Sequence, residues 1–191
     1  MTEATSRRGL VVVIAGPSGV GKGSVHRGVR EALPDSALSV SVTTRAPRPN
    51  EVEGVDYRFV DRPAFEAMVD RGELLEWAEY AGNLYGTPRE PVRELVAAGQ
   101  VVVLDIEVQG ALQVKHHLPE ALLVFLVPPS FEELENRLRG RGTEDDEAIA
   151  RRLRTARQEI DQQDAFDVVV VNDDLERCID EVVALVEDAR D

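Results

Sequence analysis

Six apolar residues, Leu10 to Ala15 (LVVVIA), run without interruption into Gly16-Pro17-Ser18-Gly19-Val20-Gly21-Lys22-Gly23-Ser24. A helical stretch follows from about Ser24 to Ala32, ending before Pro34. An unbroken β-branched run is the pattern of a strand buried on both faces, which restricts it to the interior of a parallel sheet. Between such a strand and a helix, the GxxxxGK spacing has a physical meaning. Glycines let the chain curl until successive backbone N–H groups converge, and the helix adds the positive end of its dipole. The result is a cradle for phosphates, with Lys22 reaching the terminal ones. Directly after the lysine, where a magnesium-binding hydroxyl usually stands, the chain has Gly23. The hydroxyl comes one residue later, at Ser24, by direct contact with a metal or through water.

Three further runs read as core strands: Val101–Leu104, Ala121–Val127 and Phe166–Val171, each followed by a segment of helical character. Ser130-Phe-Glu-Glu133 and Thr143-Glu-Asp-Asp146 read as capping boxes, and Thr87-Pro88 puts proline at a first helical position. Strands alternating with helices predict an α/β fold, a parallel sheet flanked by helices. Two stretches break the alternation. From about Val42 to Thr87, turn formers and short strand-like pieces (Tyr57–Val60, Leu74–Tyr80) flank a helical piece near Ala64–Arg71, predicting a small α+β insertion. Arg137 to Arg152 is arginine-rich, with glycines at 140 and 142, and reads as a mobile loop between two helices.

Composition narrows the classes. At 43% hydrophobic and 30% charged, the 191 residues suit one soluble enzyme core. A net charge of −14 argues against a nucleic-acid polymer as partner, while local arginine clusters on an acidic body suit small anions. No apolar run approaches a membrane span, and the polar start lacks a signal segment, so a cytoplasmic location is expected. Cys178 reads as a small buried residue.

Within the insertion, Arg45 and Arg48 lie three apart beside the hydroxyls of Ser41, Thr43 and Thr44, with Tyr57 downstream. Guanidinium forks take phosphate oxygens in pairs, so Arg45, Arg48 and Tyr57 make a clamp for a second phosphate. Asp105 ends an apolar strand with a carboxylate at the edge where ligands bind in such sheets, placed to orient magnesium's waters or to contact an acceptor. It also fits as a cap for the helix that follows. Thr87 equally suits a helix cap, Trp77 and Tyr80 read as core aromatics, and Glu51 receives no role.

The stretches SxTTRxPRxxExxGxDYxFV (Ser41–Val60), LEWAEYxGNxYGT (Leu75–Thr87) and LDIExQG (Leu104–Gly110) closely resemble the guanylate kinase family, and with the phosphate loop the resemblance runs from about residue 10 to 188. It implies a P-loop nucleoside-monophosphate kinase fold in which ATP, with magnesium as cofactor, phosphorylates GMP. It further implies that Ser41, Arg45, Arg48, Tyr57 and Tyr85 hold the GMP phosphate, and that Glu76, Thr87 and Glu107 read guanine. Glu107 stands where many relatives have aspartate. The chemistry agrees: guanine offers N1–H and N2–H₂ donors that one carboxylate accepts together, whereas adenine would leave a buried carboxylate unpaired. Arg137, Arg141 and Arg152 match lid arginines, catalytic alongside Lys22 and Asp105, and Asn172 falls at the adenine site, although Asn172-Asp-Asp also reads as a helix start.

The expected organisation is a flexible tail at 1–9, a core at 10–41, 88–136 and 153–191, an acceptor insertion at 42–87 and a lid at 137–152. Two other readings weigh less. A kinase with a different acceptor has no need of Glu76 and Glu107. A protein-interaction domain of the same fold would not keep Lys22 and every loop glycine, and no obligatory protein partner is expected.

Overall fold

The computed structural model describes residues 7–140 and 145–191. In chain order its elements begin with β1 (Leu10–Ala15), α1 (Lys22–Ala32) and β2 (Ser36–Ala37). Then come β3 (Val42–Thr43), β4 (Arg58–Phe59), α2 (Arg62–Asp70), β5 (Leu74–Tyr80) and β6 (Asn83–Pro88). The chain returns through α3 (Arg89–Ala97), β7 (Val101–Asp105), α4 (Val108–His117) and β8 (Leu122–Val127). It closes with α5 (Phe131–Gly140), α6 (Asp146–Ile160), β9 (Val168–Val171) and α7 (Leu175–Asp188).

The central sheet has five strands in the order β2-β7-β1-β8-β9, every neighbouring pair parallel. The unbroken apolar run of β1 divides by the two-residue period of a strand. Leu10, Val12 and Ile14 pack with Val25 and Val29 of α1 and Cys178, Val182 and Val186 of α7. Val11, Val13 and Ala15 face the other way, among Val92 of α3 and Val108, Ala111 and Val114 of α4. Each such side chain contributes about 1.5–3 kcal/mol by burial, which explains why the run tolerates no polar residue. Because all five strands point the same way, the phosphate loop after β1, Asp105 ending β7 and Asn172 after β9 emerge at one edge of the sheet.

A second, four-stranded sheet, β4-β3-β6-β5, is built from residues 42–88. It has its own small core of Val42, Phe65, Met68, Leu74 and Leu84. α2 begins where Asp61 accepts from the Ala64 N–H, with Pro63 in the first turn.

Several sequence expectations are corrected. β2, only two residues long, has no periodic signature and was not foreseen. α1 starts at Lys22 rather than near Ser24, and β9 at Val168 rather than Phe166. Pro88 ends β6 and caps α3, so Thr87 is a strand residue and not the cap. The segment read as a loop from Arg137 to Arg152 is helical at both ends, as α5 continues to Gly140 and α6 begins at Asp146. Asp145 caps α6 by accepting from the Ala148 N–H, while Thr143 of the expected capping box lies outside the described residues. Half of the Ser130 box forms, with the Glu133 N–H donating to Ser130 Oγ at 3.1 Å, while the Glu133 carboxylate turns to Arg137. Trp77 and Tyr80 are 39% and 73% exposed, not core, because β5 is the outer strand of its sheet. Cys178 is buried as expected, and burial pushes its thiol up to about 11. Among the described residues no helix is long and apolar enough to cross a membrane.

Candidate active site

The phosphate loop leaves β1 with Gly19 and Gly21 at φ +93° and +103°, a region side chains rarely adopt. A Cβ at Gly21 would also lie 2.6 Å from Asn172 Nδ2. Lys22 opens α1 and folds back over the loop, donating to the Gly16 carbonyl at 2.7 Å and pairing with Glu107 Oε2 at 3.3 Å. Pro17, Ser18, Gly19, Gly21, Lys22, Gly23 and Ser24 line a cavity of about 690 Å³ that Asp105 and Glu107 complete, while Val20 is buried behind them.

The loop is braced from behind. Asn172, only 6% exposed, donates from its side-chain amide to the Val20 carbonyl at 2.7 Å. Arg137 donates to the Asn172 carbonyl at 3.0 Å and toward that of Val20 at 3.4 Å, and is itself held by Glu133 at 2.9 Å. The Asn172 amide therefore supports loop backbone, and the helix cap its neighbourhood promised falls to Asp174 instead. Arg152 lies half-buried on α6, and Arg141 lies outside the described residues.

Across the cleft, local chemistry assembles a turn of two arginines around one carboxylate. Thr43 Oγ1 donates to the Leu84 carbonyl and Thr44 Oγ1 accepts the Leu84 N–H, both at 2.9 Å, which pins the end of β3 to β6 and sets the exit of Arg45. The Arg45 guanidinium donates to both oxygens of Glu51, at 2.9 and 2.7 Å, and also engages Tyr85. It stands over the Tyr57 ring, 5.5 Å from its centroid, and Tyr57 in turn meets Tyr85 edge-on. Glu51 accepts the Arg48 backbone N–H at 2.8 Å as well, and the Arg45 guanidinium holds its carboxyl down at about 2. Glu51, given no role from its sequence position, is thus the hub of this arginine turn. Its spacing, three after Arg48 and six after Arg45, was the available signal.

Ser41, Tyr57, Tyr85, Glu76, Asp105 and Glu107 line a second cavity of about 500 Å³. Glu76 is 6% exposed and accepts the Thr87 O–H at 2.6 Å. Burial pushes its carboxyl above the ordinary value of 4.5, with the Thr87 hydrogen bond pulling the other way. A buried carboxyl with one oxygen engaged by a hydroxyl and the other turned to the first turn of α4 is a built acceptor. Asp105 and Glu107 belong to both cavities. Desolvation holds Asp105 above its usual range, against the pull first of Lys22 and then of His26. A residue that sequence reasoning missed, Glu159 of α6, faces the same junction. Burial raises its carboxyl, the Glu107 charge raises it further, and Lys22 and the Ser18 N–H act in the opposite sense. On a polar helix face it gave no signal.

Ser24 and Asp105 open onto one cavity and each offers an oxygen there, beside Lys22 and Arg27. That suits Mg²⁺, which keeps much of its water shell and takes one or two protein oxygens beside substrate phosphates. Among the described residues no cluster of three or more His, Cys, Asp or Glu side chains is arranged to hold a metal by itself.

A glycine-rich phosphate cradle and a tyrosine-lined cavity with an arginine turn behind Tyr57, the two cavities sharing a carboxylate wall at the carboxyl edge of a parallel sheet, define a phosphate-loop kinase that brings two phosphorylated substrates together. Known proteins narrow this class. The guanylate kinase family model matches residues 8–189. Guanylate kinase of Thermosynechococcus vestitus is 56% identical over 94% of this chain and 94% of its own. That of Nocardia farcinica is 56% identical over 97% and 96% respectively. The crystal structure of guanylate kinase from Anaplasma phagocytophilum superposes with a TM-score of 0.74 at 36% identity, covering 96% of this chain and 87% of that one. The chain belongs to the guanylate kinase family.

Proposed function

We propose that this chain is an ATP:GMP phosphotransferase, moving the γ-phosphoryl group of ATP to GMP to give ADP and GDP, with its residues dividing the work as follows. The observation that carries the reading is the buried Glu76, held by Thr87 and lining one cavity with Ser41, Tyr57 and Tyr85, opposite an intact phosphate loop. A carboxylate in that position accepts the N1–H and N2–H₂ edge of guanine. Adenine would bring a second acceptor to a desolvated acceptor, and such mismatches reach roughly 10⁴-fold in specificity.

Loop amides from Gly16 to Ser24 take the ATP phosphates, and Lys22 moves from the Gly16 carbonyl to the transferring group. Ser24 and Asp105 would hold the hydrated magnesium of MgATP, which would supply charge neutralisation at the phosphates when bound. Ser41, Arg45, Arg48, Tyr57 and Tyr85 take the GMP phosphate, and Glu107 joins Glu76 and Thr87 at the base once Lys22 leaves it. Arg137, Arg141 and Arg152 add positive charge over the transferring phosphoryl, where a placed guanidinium is worth roughly 10³ or more in rate. Asn172 supports the adenine side through the loop. The insertion at 42–87 and the lid at 137–152 close over both nucleotides and exclude water. A cytoplasmic setting belongs to the same reading.

The test is ADP formation from MgATP with GMP, AMP, CMP or UMP, in the parent and in Glu76→Gln. Turnover with GMP alone, largely lost in the variant, is expected. Turnover of a different acceptor, unaffected by the substitution, would overturn the assignment of the base site.

A further inference from the structure

β5 is not a regular strand. Leu74 pairs with Pro88 and Glu76 with Thr87, so Leu75 is an extra residue with no partner of its own in β6. Bulges of this kind turn the following side chain and occur beside sites that need one aimed. This one immediately precedes Glu76.

Three consecutive residues at the bulge are held by one face of α4. His117 Nδ1 meets the Leu75 carbonyl at 2.7 Å, so that nitrogen carries the proton. Glu76 Oε2 lies where a Cβ on Gly110 would come within 2.9 Å, so only glycine lets α4 approach this closely. Gln113 spans Trp77: its Oε1 accepts the Trp77 N–H at 3.1 Å and its Nε2 donates to the Trp77 carbonyl at 3.0 Å. Residues 110, 113 and 117 fall at helical spacings of three and four, hence on one stripe of α4. A glutamine amide here does the work of a neighbouring strand, satisfying the outer edge of β5 at the residue next to Glu76.

We infer that Gln113 and His117 are positioning residues for acceptor specificity, fixing the bulge at Leu75 so that the Glu76 carboxylate meets the base edge. The inference rests on the reading of Glu76 as the guanine acceptor. It assigns discrimination partly to the body of α4, beyond the Glu107 at its N-terminus that the same reading already places at the base. Loss of either pin frees the backbone on one side of Glu76, and a displacement near 1 Å at a reacting geometry is worth up to roughly 10²-fold.

The experiment compares kcat/KM for GMP and for inosine monophosphate, whose base keeps N1–H and lacks the exocyclic amine. The proteins are the parent, Glu76→Gln, Gln113→Leu, Gln113→Glu and His117→Phe, each with its Tm. Gln113→Leu is expected to lower the GMP:IMP ratio roughly tenfold, through KM for GMP, with KM for ATP unchanged. Gln113→Glu keeps the acceptor for the Trp77 N–H and loses the donor, so it falls between the two. A ratio lost in Glu76→Gln but unchanged in both the Gln113→Glu and His117→Phe proteins would overturn the inference, since a merely structural contact lowers Tm without touching selectivity. A ratio unchanged in Glu76→Gln would instead overturn the base-site reading beneath it. If Gln113→Leu does not fold, the other two variants decide.

Discussion

Around the phosphate loop, what faces the cleft is mostly backbone, and what fixes it is glycine dihedral angle: Gly19 and Gly21 at positive φ, with Asn172 and Arg137 bracing the Val20 carbonyl behind. In the four-stranded sheet, what faces the cleft is side chain, and what fixes it is other side chains: Glu51 on Arg45, Thr87 on Glu76, Gln113 beside Trp77. Both arrangements present fixed groups to a nucleotide. A backbone cradle binds any polyphosphate, because every nucleotide carries the same phosphates. A side-chain pocket discriminates, because its donors and acceptors must match one base. The two designs should therefore fail differently.

The largest effect is expected from the smallest substitution. Gly21→Ala places a methyl group at φ +103° and 2.6 Å from Asn172 Nδ2, so loop and brace cannot both keep their positions. Strain of about 1–3 kcal/mol corresponds to roughly 5- to 150-fold in kcat/KM for ATP. Steady-state kinetics against each substrate should show the loss on ATP with affinity for GMP retained. An equal loss on both would break the distinction, because it would mean the two halves share one frame.

This contrast also explains which parts of the site are legible in the sequence. A backbone site must carry glycines at fixed spacing after a buried strand, and both features survive in a single sequence. The arginine turn was legible for a similar reason, since paired guanidiniums beside hydroxyls have few other uses. Glu51, Gln113 and Glu159 were not, because a carboxylate or an amide on a turn or helix face looks like any solvated residue until its partner is located. Trp77 and Tyr80 misled in the opposite direction: aromatic character suggests burial, and only the strand order shows β5 to be an edge. The acid-rich start of α6 gave the helix but not its cap, which was expected at Thr143 and formed at Asp145.

On the acceptor side, removing a holder should act like removing the held group, only more weakly. Glu51→Gln keeps the shape and loses the charge that grips Arg45 and the Arg48 N–H. KM for GMP should rise roughly tenfold, with kcat and KM for ATP little changed. Glu51→Asp, which restores charge at shorter reach, should recover part of it. The carboxyl sits at about 2 against an ordinary 4.5, so the bridge is at full strength above pH 4.5 and is lost only as pH falls through about 2. Acidity that weakens GMP binding well above that range must act elsewhere, and Glu76 is the group placed to do it. Its carboxyl is raised by burial, and once protonated it loses acceptor capacity for guanine. KM for GMP should climb a few-fold as pH falls toward a value above 4.5, and the slope should vanish in Glu76→Gln. A slope that persists in that variant would move the titration to another acid of the cleft.

The smallest effect is expected two residues from the largest. Gly23 sits in the first turn of α1, and a Cβ built there meets nothing within 4 Å. Nothing in the protein itself requires glycine at that position. Gly23→Ser should thus fold as the parent does, with Tm unchanged or raised, since serine exceeds glycine in helix propensity by a few tenths of a kcal/mol. It also sets a hydroxyl directly after the lysine, beside the cavity that Ser24 and Asp105 already line. Activity should stay within a few-fold of the parent, with half-maximal rate reached at lower magnesium. Titrating magnesium at fixed ATP, alongside thermal unfolding, separates the two consequences. A stable protein with a large loss of kcat/KM for ATP would mean that the open space at Gly23 is reserved for the phosphates themselves. The cradle would then depend on close approach at this position as well as on the dihedral angles of Gly19 and Gly21.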